Sequence, residues 1–433
     1  MSEGRADWSV QEVAAGRRAY RLVLLGTLVS ALGEGLTLPF LFIYLHDVLG
    51  ASLPLAGVVV ALSAAAQIVA TAVAGPLGDR FGLGRVVFVG LVVQAAGTAL
   101  LASGVGLGGA VAAVALMGIG EGSIWPGLNG LIAFQVPPAG RSRAYALRFG
   151  LNNGSLGLGA LISGLIVSVA DPGSFRMIYS IDAGSTLVFA LVVAIGLRRT
   201  PGFRPVTHRK PASLPLPKSA SRAADRRGYW AVLTDRPFAA YLVLGLAMGV
   251  FGYAQMNGPW AAFVTGAGGA STRIVGLGFA ANTAVIVALQ LPVERVTRRL
   301  RRSRLLILTC LIWAAAWIMS GLAALPALHG PVGGVGFVVS LGVFGLGETF
   351  LSPVDGVIPN DLAPDALRGR YNALAGSTLP VGGLIGPPLA GLILAGPMPG
   401  VWIVAIAGGA VACAAGAVVL GRLLPARVER PAT

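Results

Sequence analysis

Apolar stretches of about twenty residues recur along the whole chain, with none of the period-two alternation that marks a strand. A helix of that length crosses the hydrocarbon core of a bilayer, and in lipid only helices or closed barrels satisfy their own backbone groups. The unbroken runs therefore predict membrane helices near residues 20–46, 54–75, 86–103, 109–134, 146–170, 177–197, 238–265, 273–292, 304–325, 333–359, 371–395 and 400–421. The polar remainder predicts an N-terminal segment over 1–19, a six-helix bundle over 20–197, a linker over 198–237, a second bundle over 238–421 and a tail over 422–433. The expected fold class is an all-α integral membrane protein of twelve transmembrane helices.

Composition agrees. Of 433 residues, 55% are apolar and 11% charged, against about 25% charged in soluble domains; mean hydropathy is +0.79. An ordinary soluble enzyme is thereby excluded. The net charge of +15 first suggests a nucleic-acid partner, but no soluble basic domain exists to bind one. Instead, all of the 32 Lys and Arg except Arg176 and Arg273 fall in alternate connections or at the two termini. That is the positive-inside distribution, and it predicts an even number of spans with both termini cytoplasmic. No cleavable signal peptide precedes the first span. The linker, with Pro201, Pro205, Pro211, Pro215 and Pro217 beside its basic residues, reads as a solvated tether against anionic head groups. Cys310 and Cys413 each sit in an apolar run, so neither a disulfide framework nor a metal cluster is expected.

The chain repeats itself at an offset of 227 residues. Glu121 falls on Glu348, Pro126 on Pro353, Arg141 on Arg368, Arg143 on Arg370, Gly159 on Gly386 and Gly164 on Gly391, without a gap. Gly and Ala bias does not produce matches at Glu, Arg and Pro. The offset spans six helices, an even number, so the two halves are parallel repeats related by an axis along the membrane normal.

Twelve spans arranged six plus six, a long central connection, and Gly75-Pro-Leu-Gly-Asp79-Arg80-Phe-Gly82-Leu-Gly-Arg85 between spans two and three resemble a major facilitator superfamily transporter, and in particular its drug/proton antiporter branch. Similarity to that family implies that Gly75, Asp79, Arg80, Gly82 and Arg85 form a cytoplasmic gate closing on the start of span eleven, at Arg368 and Arg370. In this loop Gly75 and Gly82 are expected to permit close approach and a tight turn. The antiporter signature of span five is degenerate here, running from Gly159 to Gly164 without its proline, whereas its repeat Gly386-Pro387-Pro388-Leu-Ala-Gly391 has one. Small residues at this spacing are expected to let helices pack closely and gate. The family's arginine in span four is Val114 in this chain, so no proton-relay role carries over to that position.

Acids within a membrane are functional candidates by default. Glu34, Glu121 and Glu348 each lie roughly 17–20 Å along their helices, near mid-membrane, and the resemblance puts spans one, four, seven and ten around the cavity. Asp355 is expected on the face of Glu348, and Asp182 near the outer end of span six. Trp125, Asn152, Asn153, Tyr253, Asn257 and Trp260 complete the expected pocket, with no Lys or Arg in it, so lipophilic cations are the expected substrates. No ATP-binding loop occurs; no cofactor or metal is expected, and a proton gradient is the expected energy source. The expected location is a bacterial plasma membrane, and the chain reads as a monomeric, non-enzymatic secondary transporter whose partners are a small molecule, protons and membrane lipids. Its expected action is proton-coupled efflux, with import of a sugar or other metabolite as the alternative and lipid flipping or reception after that.

Overall fold

A computed structural model describes residues 10–204, 229–297, 299–364 and 367–430; most of the basic, Pro-rich linker lies outside the described residues. Twelve helices are long and apolar enough to cross a membrane. They are α1 (Ala15–Val48), α2 (Leu53–Phe81), α3 (Leu83–Ala102), α4 (Leu107–Gln135), α5 (Arg143–Ile166), α6 (Pro172–Gly196), α7 (Arg236–Met256), α8 (Thr272–Thr297), α9 (Arg302–Ala323), α10 (Pro331–Leu351), α11 (Arg368–Leu394) and α12 (Gly400–Leu423). Every expected span is present, and there is no β-sheet among the described residues. Large apolar side chains such as Val69, Val243, Val335 and Val404 stand exposed on the helix surfaces, the pattern of helices whose outer solvent is lipid.

Local signals account for several boundaries. Asp171 caps α6 by accepting from the Gly173 amide at 2.9 Å, with Pro172 in the first turn, where its missing N–H is no loss. The turn between α2 and α3 needs Gly82: its φ is +96°, and a Cβ there would stand 2.4 Å from the Phe203 carbonyl oxygen. Two ends differ from expectation. α10 stops at Leu351, so Asp355 lies in the following turn rather than on the Glu348 helix face. α7 gives way to a break at Asn257 and Gly258 before a short helix, Pro259–Thr265. Gln255 repairs that break: its amide donates to the Val250 carbonyl at 2.8 Å, and its oxygen accepts from Trp402 Nε1 at 2.9 Å, as backbone freed within a membrane requires.

Packing divides the chain into two compact units. Unit 1 is Met1–Thr37, Ala65–Gly159 and Ala170–Arg209; unit 2 is Leu38–Ala64, Ala160–Val169 and Lys210–Thr433. In unit 1, Val23, Val87, Leu91, Leu131, Phe189 and Val193 form an aliphatic core. In unit 2 an aromatic core takes that place, with Trp313 stacked on Phe344 at 4.7 Å and Trp317 at 5.0 Å from the same ring.

Backbone crossings at glycine hold each unit. In unit 1, a Cβ on Gly159 would lie 2.2 Å from the Leu32 carbonyl oxygen, and one on Gly35 would lie 2.2 Å from that of Leu156, so α1 and α5 touch main chain to main chain. In unit 2, Gly164 meets Gly276 of α8, Gly391 meets Leu53 of α2, and Gly386 meets Ala254 of α7. The repeat thus recurs in the packing: α5 crosses α1 and α8, while α11 crosses α7 and α2. Gly159→Ala is expected to destabilise by about 1–3 kcal/mol, since the added methyl forces two backbones apart. Gly75→Ala, with nothing within 4 Å of the new methyl, is expected to leave stability unchanged or raised by up to about 1 kcal/mol. Thermal unfolding in detergent checks the pair, and a Gly159→Ala melting temperature equal to wild type would contradict the crossing.

Candidate functional site

The richest cluster of polar groups lies inside unit 1. On α4, Glu121, Trp125 and Asn129 follow at intervals of four and share one helix face; on α5, Arg148 and Asn152 do the same. Glu34 of α1, Glu121, Trp125, Arg148 and Asn152 line one cavity of about 400 Å³, open mouth included. Arg148 is 4% exposed. Its guanidinium lies 4.4 Å from the centre of the Trp125 ring and donates to Asn129 Oδ1 at 3.0 Å. A cation over an aromatic face gains about 0.5–2 kcal/mol, the upper end when desolvated.

Three carboxyls gather in the same unit, two of them, Glu34 and Glu121, on this cavity. Gln67 donates to Glu121, and Glu34 is close enough to feel both Glu121 and Asp182 electrostatically. Asp182 is buried and accepts from Thr37 Oγ1 at 2.8 Å and from Thr186. Gly33, immediately before Glu34, leaves the room: a Cβ there would come within 2.9 Å of the Asp182 carboxylate. These placements correct two expectations. Asp182 stands ten residues into α6, near mid-span, because the helix begins at Pro172 and not at 177. The cavity also contains an arginine.

Unit 2 holds the repeat's acid. Asn282 Nδ2 donates to Glu348 Oε2 at 2.7 Å, with Tyr253 donating to the same carboxyl; Gly345 leaves space for the asparagine. Tyr253 also lines a cavity of about 480 Å³ with Tyr241, Leu351, Asp355 and Thr378. There Tyr241 donates to Asp355 Oδ1 at 3.4 Å. Desolvation holds the Asp355 carboxyl above its usual range, against the opposing hydrogen bonds from Tyr241 and the Gly356 amide.

Other expected residues fall elsewhere. Trp260 is fully buried and donates to Ser320 Oγ at 3.0 Å, a core residue. Asn153 donates to the Phe149 carbonyl of its own helix at 2.9 Å, and Asn257 marks the α7 break. Of the residues expected to form a gate, Asp79, Arg80 and Arg85 are exposed, Arg80 lies over Phe81, and the Gly84 amide donates to the Gly202 carbonyl at 3.0 Å. Gly75 has open space around it, so close approach does not require it. Arg370 lies 6.0 Å from the Tyr229 ring, and Tyr371 beside it donates to Asp235 at 2.6 Å. Cys310 and Cys413 are free, buried and hydrogen-bonded to each other.

The Major Facilitator Superfamily profile matches residues 23–268 and 251–433. The chain belongs to the Major Facilitator Superfamily. It is accordingly a multi-pass membrane transporter and not an enzyme. It is 24% identical over 379 residues to the MFS-type transporter YttB of Bacillus subtilis (strain 168), covering 87% of this chain and 88% of that one. It is 28% identical over 170 residues to the quinolone resistance protein NorA of Staphylococcus aureus (strain Mu50 / ATCC 700699), covering 39% of this chain and 42% of NorA. Among solved structures, a peptide transporter POT in complex with alafosfalin superposes with a TM-score of 0.74 at 17% identity, covering 96% of this chain and 99% of that one. That likeness is one of fold.

Sequence reasoning missed Arg148 and placed Asp182 too near the outer end of its span. One signal pointed to Arg148: Arg141 and Arg143 recur as Arg368 and Arg370, but the position equivalent to Arg148 is Ala375. Thr37→Val removes one of the two hydroxyls that satisfy Asp182 and is expected to destabilise by about 1–3 kcal/mol. The readout is a lower melting temperature in detergent; an unchanged one would show that the hydroxyl does nothing to hold the acid.

Proposed function

We propose that this transporter is a proton-coupled exporter of small, lipophilic compounds carrying positive charge. The observation that carries the reading is the pairing of Glu34 and Glu121 on one cavity, electrostatically coupled and backed by Asp182. Two carboxyls in a water-poor cavity repel when both are ionised, so a proton or a cationic substrate relieves the same repulsion. Each displaces the other, which is the exchange that antiport requires. Protons entering from outside load the pair and release substrate; proton loss to the cytoplasm restores the anionic site for the next molecule. The likeness to NorA over part of the chain supports efflux as the direction.

In the membrane the basic connections face the cytoplasm, with both termini on that side. The exposed Asp79, Arg80 and Arg85 then stand at the cytoplasmic end of α2 and α3, where the family resemblance puts the gate. Gly164 and Gly391 cross their partners toward the ends of α5 and α11 away from those basic connections. Glu348, with Asn282 and Tyr253, is a second proton-binding group in unit 2.

Arg148 favours one second reading, import of a metabolite bearing negative charge. Proteoliposomes with an imposed pH gradient separate the two. In the exporter, gradient-driven efflux of a fluorescent cationic dye is expected to fall about tenfold or more in Glu121→Gln and in Glu34→Gln. Efflux that ignores the gradient and survives both substitutions would overturn proton coupling through this pair; gradient-driven accumulation in the opposite direction would establish the importer.

A further inference from the structure

Arg148 has no structural debt that explains it. It is 4% exposed and lies about five residues, or roughly 7 Å of helix, deeper than Arg143, beyond the arginines that the repeat preserves. Ala375 occupies the equivalent position in the second half, so neither the helix nor its orientation in the membrane needs a cation there. Among the described residues no carboxylate is within ion-pair distance of its guanidinium. The group has five N–H donors, and its one side-chain hydrogen bond is to Asn129. A buried, unpaired cation is costly to hold, and the acids of the same cavity do not neutralise it: Glu121 is engaged by Gln67, and Glu34 responds to Glu121 and Asp182.

The cavity therefore carries opposite charges at different levels along α4. Along α4 the order is Glu121, Trp125, Asn129, with about 6 Å per four-residue step, and Arg148 is held at the Trp125 and Asn129 end. We propose that the substrate of this cavity is zwitterionic, with a carboxylate that docks on Arg148 and a cationic group, about 6–12 Å away, that faces Glu34 and Glu121. This rests on the reading of the unit 1 cavity as the substrate site, and it narrows the substrate class from cations to elongated amphoteric molecules. A carboxylate accepts two parallel N–H bonds from a guanidinium, supplying the anion that the protein lacks. An α-amino acid, whose charges are only a few ångströms apart, does not span that distance.

Equilibrium binding to the purified full-length protein in nanodiscs, with no gradient, tests the proposal. The probes are a zwitterionic fluoroquinolone, with its carboxylate and piperazinium at opposite ends of an aromatic body, and the methyl ester of the same compound. Wild type is expected to bind the acid about tenfold tighter than the ester. Arg148→Gln is expected to lose about tenfold for the acid while binding the ester within about twofold of wild type; Arg148→Lys is expected to retain part of the preference for the acid. The ester reports whether the substituted site is still intact. A wild type that does not prefer the acid overturns the proposal, as does an Arg148→Gln protein that weakens both probes alike or neither. Because no gradient is applied, failure of proton coupling in the efflux assay leaves this result unaffected, and loss of the acid preference leaves the efflux result unaffected.

Discussion

Water is missing from the interior of a bilayer, and nearly every polar feature of this protein answers to that. A backbone or side-chain group that is satisfied by solvent elsewhere needs a protein partner here. Gln255 spends both ends of its amide around the broken α7, receiving from Trp402 and donating to Val250. Asp182 takes two hydroxyls, and Glu348 takes Asn282 and a tyrosine. Arg148 finds an aromatic face and one amide oxygen, and this incomplete answer is what singles it out.

The same constraint shapes the packing. Apolar side chains gain little by leaving lipid for one another, so helices associate by close approach instead. The glycine crossings of α5 with α1 and α8, and of α11 with α7 and α2, bring backbones together at equivalent places in the two repeats. Duplication preserved this scaffold and the acid at Glu121 and Glu348, but not the arginine. Unit 1 holds Arg148 and a group of three carboxyls; unit 2 wraps Glu348 in a neutral shell of tyrosine and asparagine. The halves share a fold and differ in their chemistry.

Much of this was legible in the residues. Spans follow from hydropathy because a membrane helix satisfies its own backbone and needs no distant partner, and the repeat brought out Glu121 and Glu348 together. The turn between α2 and α3 was legible at Gly82, whose positive φ only glycine adopts easily, and not at Gly75, which has open space around it. What stayed hidden depends on contacts between helices. Arg148 reads as a loop arginine until α5 is seen to carry it inward to Trp125. Asp182 is explained by Thr37, 145 residues earlier. Trp260 has the composition of a pocket residue, but a hydrogen bond to Ser320 on α9 makes it core. Asp355 fell off its expected helix face because α10 ends at Leu351.

Exchange of a proton for substrate at Glu34 and Glu121 is the central claim. Its most direct measurement is proton release when a cationic substrate is added to the purified protein in weakly buffered solution containing a pH indicator. The account predicts release on binding by wild type and loss of most of that release in the Glu34→Gln, Glu121→Gln double variant. Substrate binding with no proton released by wild type would contradict it.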